Sequence, residues 1–256
     1  NENVFLGSHA GQSVTPDTPS ANDGEGNTFI GHDAGMDNTS GWRNTYIGLG
    51  AGESATTADL SVAIGAFAGS GMTTSGGNVY IGNGVGQSSS GNDNTWIGIH
   101  AGLSSTASDN TYVGRSAGAN TTGTDNTYVG YHAGNVNTSG ANNTFIGDSA
   151  GGANTTGVYG TFVGSQAGRV STGDANTFLG GDAGYSNVAG ENNVFIGGGS
   201  GYNNVTGSRN IYIGEAAGVG NTSSDSVFIG NSAGRNTSSV ANSVFLGTDA
   251  GRNATS

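Results

Sequence analysis

Apolar and polar positions follow one another in a fixed five-letter word. In "DNTYVGRSAGANTTGTDNTYVG", residues 109–130, the word Asn-Thr-Tyr-Val-Gly appears twice. Its closing glycine recurs at Gly7, Gly31, Gly48, Gly65, Gly82, Gly98, Gly114, Gly130, Gly147, Gly164, Gly180, Gly197, Gly214, Gly230 and Gly247, and from Gly31 onward every spacing is 16 or 17 residues. Four residues after each anchor stands a second glycine, preceded by Ala in 13 of 15 repeats, with Val85 and Ser200 the exceptions. β-Branched and aromatic residues gathered between Gly and Asn clusters predict one short strand per repeat, and no helical periodicity competes. Such a period predicts an all-β chain folded as a parallel β-solenoid of about 15 coils, stacked about 4.8 Å apart into a rod of roughly 70 Å. Gly31, Gly35, Gly114, Gly118, Gly130 and Gly134 exemplify the coil corners, where a side chain would resist the turn.

Within the word, the residue before the anchor is always Ile, Val or Leu, and the one two positions earlier is Thr, Val or Ile. Period-2 alternation puts these two on one face. Between them stands an aromatic in 14 of 15 repeats: Phe5, Phe29, Tyr46, Tyr80, Trp96, Tyr112, Tyr128, Phe145, Phe162, Phe178, Phe195, Tyr212, Phe228 and Phe245, with Ala63 the gap. The leading Asn predicts a ladder of side-chain amides along one corner.

Both faces of the strand are thus apolar, the pattern of a strand covered on both sides. If the aliphatic face fills the coil, the aromatics form an outer stripe larger than soluble monomers usually expose. They are read as an oligomer-interface or core column, and a side-by-side oligomer is the expected cover. The interval from Gly7 to Gly31 holds both prolines, Pro16 and Pro19. Residues 12–26 are expected to form a surface loop inserted between the first two coils of a single repeat domain, 1–256. Both ends of the chain fall inside the repeat, so a longer polypeptide is expected.

The words "NTFIGHDAG" and "NTYVGYHAG", and above all Leu60 to Gly65, "LSVAIG", resemble the YadA-like head (haemagglutinin) repeats of trimeric autotransporter adhesins, with their N-S-V-A-I-G consensus. The period and the aromatic depart from that family. With connectors such as Asn120 to Gly123, "NTTG", they look more like repeats of phage tail fibres and of bacterial surface proteins that carry a C-terminal self-cleaving chaperone. The resemblance implies left-handed β-rolls packed as a homotrimer. It also implies a structural and adhesive fibre segment, non-enzymatic, that holds a binding tip away from its base at a cell surface or on a virion. Its partners would be further copies of itself and a host receptor, matrix or surface glycan.

Composition narrows the field. Leu, Ile, Val and Phe make up about 17% of residues, a level at which disorder is the default, and only the repeat overrides it. The net charge of −12 reflects scarcity of bases, six in all and every one Arg. Without a basic patch, nucleic acid and anionic membranes are poor partners. No Cys means no disulfide, thiolate site or thiol nucleophile. There is no apolar run long enough for membrane insertion.

Candidate chemistry is sparse. His9, His100 and His132 sit two residues after an anchor and His32 one after. His100 and His132, two coils or roughly 10 Å apart, are too distant to share a metal, so the histidines are read as turn residues and no metal site is assigned. Asp93, Asp109 and Asp125 recur before the Asn in successive coils, where calcium could bridge them, although water-screened turn residues are the preferred reading. No other cofactor is expected. Connector hydroxyls, including Thr121, Thr138 and Thr155, are candidate surface-binding residues. Regular Thr/Ser or aromatic columns would suit ice or polysaccharide, the alternative function.

Overall fold

A computed structural model describes residues 2–15 and 24–255. The chain divides into two compact units, Asn1–Asp125 and Asn126–Ser256, and both are all-β parallel solenoids. The first contains β1 (Val4–Leu6), β2 (Thr28–Ile30), β3 (Thr45–Ile47), β4 (Val62–Ile64), β5 (Val79–Ile81), β6 (Thr95–Ile97) and β7 (Thr111–Val113). The second contains β8 (Thr127–Val129), β9 (Thr144–Ile146), β10 (Thr161–Val163), β11 (Thr177–Leu179), β12 (Val194–Ile196), β13 (Ile211–Ile213), β14 (Val227–Ile229) and β15 (Val244–Leu246). Within each unit every strand pairs in parallel with the next, word on word, as in Phe29 opposite Tyr46 and Phe162 opposite Phe178. Pro16 and Pro19 lie outside the described residues. On either side of them, the backbone N–H groups of Thr15 and Gly24 donate to Thr39 and Ser40 of the next coil, at 3.0 and 2.9 Å.

The two faces of the strand are the reverse of the first expectation. From Phe29 to Phe228 every aromatic of the column is fully buried within its own chain. Phe5 and Phe245, in the first and last strands, are the more open ones. The flanking Thr, Val, Ile and Leu residues point outward, half-buried or exposed. In a three-residue strand only the central side chain turns inward, and a coil of this circumference needs a ring to span it. Space for that ring comes from the opposing arc, where Ala34, Ala51, Ala117 and their equivalents are buried. A Cβ on Gly35 would stand 2.6 Å from the Phe29 ring, so the Ala-Gly pair is small because the ring rests on it. Successive rings stack face to face, 4.8 Å between Phe29 and Tyr46 and 4.6 to 4.9 Å from Tyr128 through to Phe245. Burial of the aromatics therefore requires no partner chain.

The corners are backbone devices. Gly48 has φ +138°, and a Cβ there would meet the Gly65 carbonyl oxygen at 2.5 Å, which excludes any larger residue. The Asn column is a ladder, with the backbone as its rungs. The Asn27 Oδ1 accepts from the Asn44 N–H at 2.9 Å, while its Nδ2 donates to the Gly41 carbonyl at 2.8 Å. Asn143, Asn176 and Asn193 repeat the arrangement in the second unit. Direct amide-to-amide bonds occur as extras, as from Asn94 to Asn78 at 3.2 Å. Asn27, Asn143, Asn176 and Asn193 are thereby satisfied on both sides of the amide, which its desolvation demands.

Candidate interaction surface

With the rings enclosed, the outer face of the sheet becomes the apolar surface. It carries two columns: Thr28, Thr45, Val62, Val79, Thr95 and Thr111 beside Ile30, Ile47, Ile64, Ile81, Ile97 and Val113 in the first unit, and the corresponding residues of β8 to β15 in the second. Ile81, Ile97, Ile146, Ile211 and Ile229 are 36 to 39% exposed. Neither column contains a charge. Side chains half-exposed along seven or eight strands give each unit an apolar stripe on the order of several hundred Å², at the level where soluble monomers mark an interaction site.

The position just before the corner Asn or its Ser or Gly equivalent is often Asp or Asn for a conformational reason. From the second repeat on, the residue three before the aromatic position has positive φ, for example Asp93 at 55°, Asp109 at 61°, Asp125 at 59°, Asn142 at 58° and Asp225 at 63°. Short Asp and Asn side chains tolerate that left-handed geometry best. The Asp column thus has a backbone explanation that needs no calcium. Where Arg209 occupies the same position, its guanidinium donates to the two oxygens of Asp225 in the next coil at 2.6 and 2.8 Å. The hydrogen bonds from Arg209 lower the Asp225 pKa, and both side chains are exposed.

The three connector threonines do not share a face. Thr121 is buried, Thr138 is exposed and Thr155 half-buried. Counted from its anchor, Thr121 stands one position earlier than the other two, and alternation turns it inward. Exposed hydroxyls at the later position serve the backbone: Thr39 donates to the Thr56 carbonyl at 3.0 Å, Thr56 to Thr73 at 2.9 Å and Thr138 to Thr155 at 2.9 Å. The enclosed aromatics offer no platform for a sugar or for ice.

Inside the coils the phenols stay protonated. Burial raises the pKa of Tyr46, Tyr80, Tyr112 and Tyr212 above the usual 10.0. The Tyr80 hydroxyl pairs with Ser89 Oγ at 2.7 Å, and Tyr212 accepts from Asn221 Nδ2 at 3.0 Å. Tyr46 Oη finds no partner among the described residues.

The histidines part ways. His132 stacks on Tyr131 with ring centroids 3.9 Å apart. His9 and His32, 23 residues apart in sequence, lie in neighbouring arcs with ring centroids 5.6 Å apart. Reading the histidines one by one missed this pair because the long first interval disguises neighbouring coils. Counting from the anchors reveals it: His9 and Asp33 hold the same position in consecutive repeats, and His32 adjoins. Among the described residues no helix is long and apolar enough to cross a membrane. No protein-family model and no curated protein matches the chain.

Proposed function

We propose that this chain is a structural and adhesive fibre segment whose copies pack side by side through the outer face of the sheet, as a homotrimer at a cell surface or on a virion fibre. The observation that carries the reading is the uncharged double column of half-exposed or exposed Thr, Val, Ile and Leu residues along the strands. Its cover is another copy of the same stripe, since self-complementary apolar faces meet naturally about a symmetry axis. The number three comes from the resemblance of "LSVAIG" to the adhesin head repeats, in which Val62 and Ile64 would now face the axis. Stacked rings inside each coil make the segment a stiff spacer, and receptor, matrix or glycan contacts fall to surfaces away from the stripe. Nothing in this role requires catalysis.

The absence of native cysteine makes the test direct. Ile196→Cys, on the stripe, should cross-link copies on mild oxidation, whereas Asn203→Cys, exposed on another face, should not. Equal cross-linking at the two positions, or none at Ile196, would refute the packing.

A second reading rests on the regularity of the same face. Thr127, Thr144, Thr161 and Thr177 stand in register beside Val129, Ile146, Val163 and Leu179, a flat lattice of hydroxyl and methyl groups suited to ice. Thermal hysteresis lost on Thr161→Lys would favour it over the fibre.

A further inference from the structure

We infer that His9, His32 and Asp33 form a binding site for a divalent first-row transition ion such as Zn²⁺. Asp33 stands between the two imidazoles: its Oδ1 lies 2.9 Å from His9 Nδ1 and its Oδ2 2.7 Å from His32 Nδ1. One donor atom from each of the three residues falls within 4.8 Å of the others. An ion bound at about 2.0 to 2.1 Å in a tetrahedral site sets its ligand atoms about 3.3 Å apart. At the ligating carboxylate oxygen the distance to its own imidazole need only widen by a few tenths of an ångström, and the other imidazole, within 4.8 Å, need only converge. Two imidazole nitrogens and one carboxylate oxygen select zinc, cobalt, nickel or copper over calcium and magnesium, which prefer all-oxygen shells.

The backbone holds these donors in place. His9 and Asp33 occupy the same left-handed arc position, φ 58° and 56°, in consecutive repeats. The Asp33 N–H donates to the Ser8 carbonyl at 3.0 Å and the Gly31 N–H to Leu6 at 2.8 Å. Solenoid stacking thereby carries His9 over Asp33, and His32 reaches the same carboxylate from the adjoining position. Rigid elements of this kind supply the preorganisation a metal site needs. Both imidazoles are about half exposed, at 54 and 55%, so the remaining coordination positions open to water. An ion there would clip the first repeat to the second across the longest interval in the chain.

The test is titration of the metal-free chain with Zn²⁺ against a chromophoric chelator, followed by imidazole resonances in NMR spectra. The expected result is one tight ion per chain, with the His9 and His32 ring signals shifting first. Asp33→Asn and His32→Gln should each weaken that binding at least tenfold, and His100→Gln should leave it unchanged. None of these positions is buried, so the metal-free variants should melt with the natural chain. Binding that is equal in the natural chain and in the His9→Gln/His32→Gln variant would overturn the site, as would binding lost equally on His100→Gln.

Discussion

Met72 fills the space that Ala63 leaves. In the other coils the second glycine rests against the aromatic ring of its own strand, but a Cβ on Gly69 would meet Met72 Cε at 2.7 Å. Both Ala63 and Met72 are fully buried. The one gap in the aromatic column is therefore plugged from the opposite side of the coil by an adaptable thioether. Met72→Ala should destabilise the fold by about 2 to 5 kcal/mol through the cavity it opens, and Ala63→Phe alone by about 1 to 3 kcal/mol through overpacking. Ala63→Phe/Met72→Ala sets a ring against a small buried residue, as Trp96 is set against Ser105, and should recover most of the loss. Denaturant unfolding of the four proteins gives the coupling; strict additivity would contradict the shared space.

The buried phenols make a paired prediction. Tyr46→Phe removes a hydroxyl without a partner among the described residues and should be neutral or stabilising by up to about 1 kcal/mol. Tyr80→Phe strands Ser89 Oγ and should cost about 1 kcal/mol. Since burial raises the pKa of Tyr46, Tyr80, Tyr112 and Tyr212 above 10.0, the unfolded chain ionises first. Stability should be intact below about pH 10 and fall as pH climbs toward the raised folded values, by at most about 1.4 kcal/mol per pH unit for each tyrosine. Tyrosinate absorbance followed alongside unfolding checks this: these phenols should ionise only as the fold is lost, and ordinary titration in the folded chain would contradict their burial.

Glycines of the repeat should differ sharply in tolerance. Gly35→Ala combines a left-handed φ of 56° with a clash against Phe29, two costs that together should exceed about 2 kcal/mol. Gly198→Ala, with nothing within 4 Å of its Cβ position, should change stability by less than about 0.5 kcal/mol. Melting temperatures of the two variants settle the comparison.

The coil repeat, its strand and its glycine corners were legible in the sequence because periodicity reports backbone geometry directly. The sidedness of the strand was not: Thr-Tyr-Val is apolar on both faces, and alternation alone cannot say which is inside. The deciding signal lay four residues beyond the anchor, where Ala and Gly are small enough to admit a ring. Thr121 was misplaced for a related reason, since one residue of phase within a connector reverses a side chain. His9, His32 and Asp33 were hidden by the long first interval, which separates neighbours in space by more than a period in sequence.

The most direct test of the central claim, that each chain closes its own aromatic core and associates through the aliphatic stripe, is solution mass by light scattering over a dilution series. The natural chain should give about 75 kDa, three times its 25.1 kDa. Ile146→Lys/Ile196→Lys should give a single-chain mass with unchanged β-sheet circular dichroism. A natural chain that stays at 25.1 kDa across all concentrations would contradict the account.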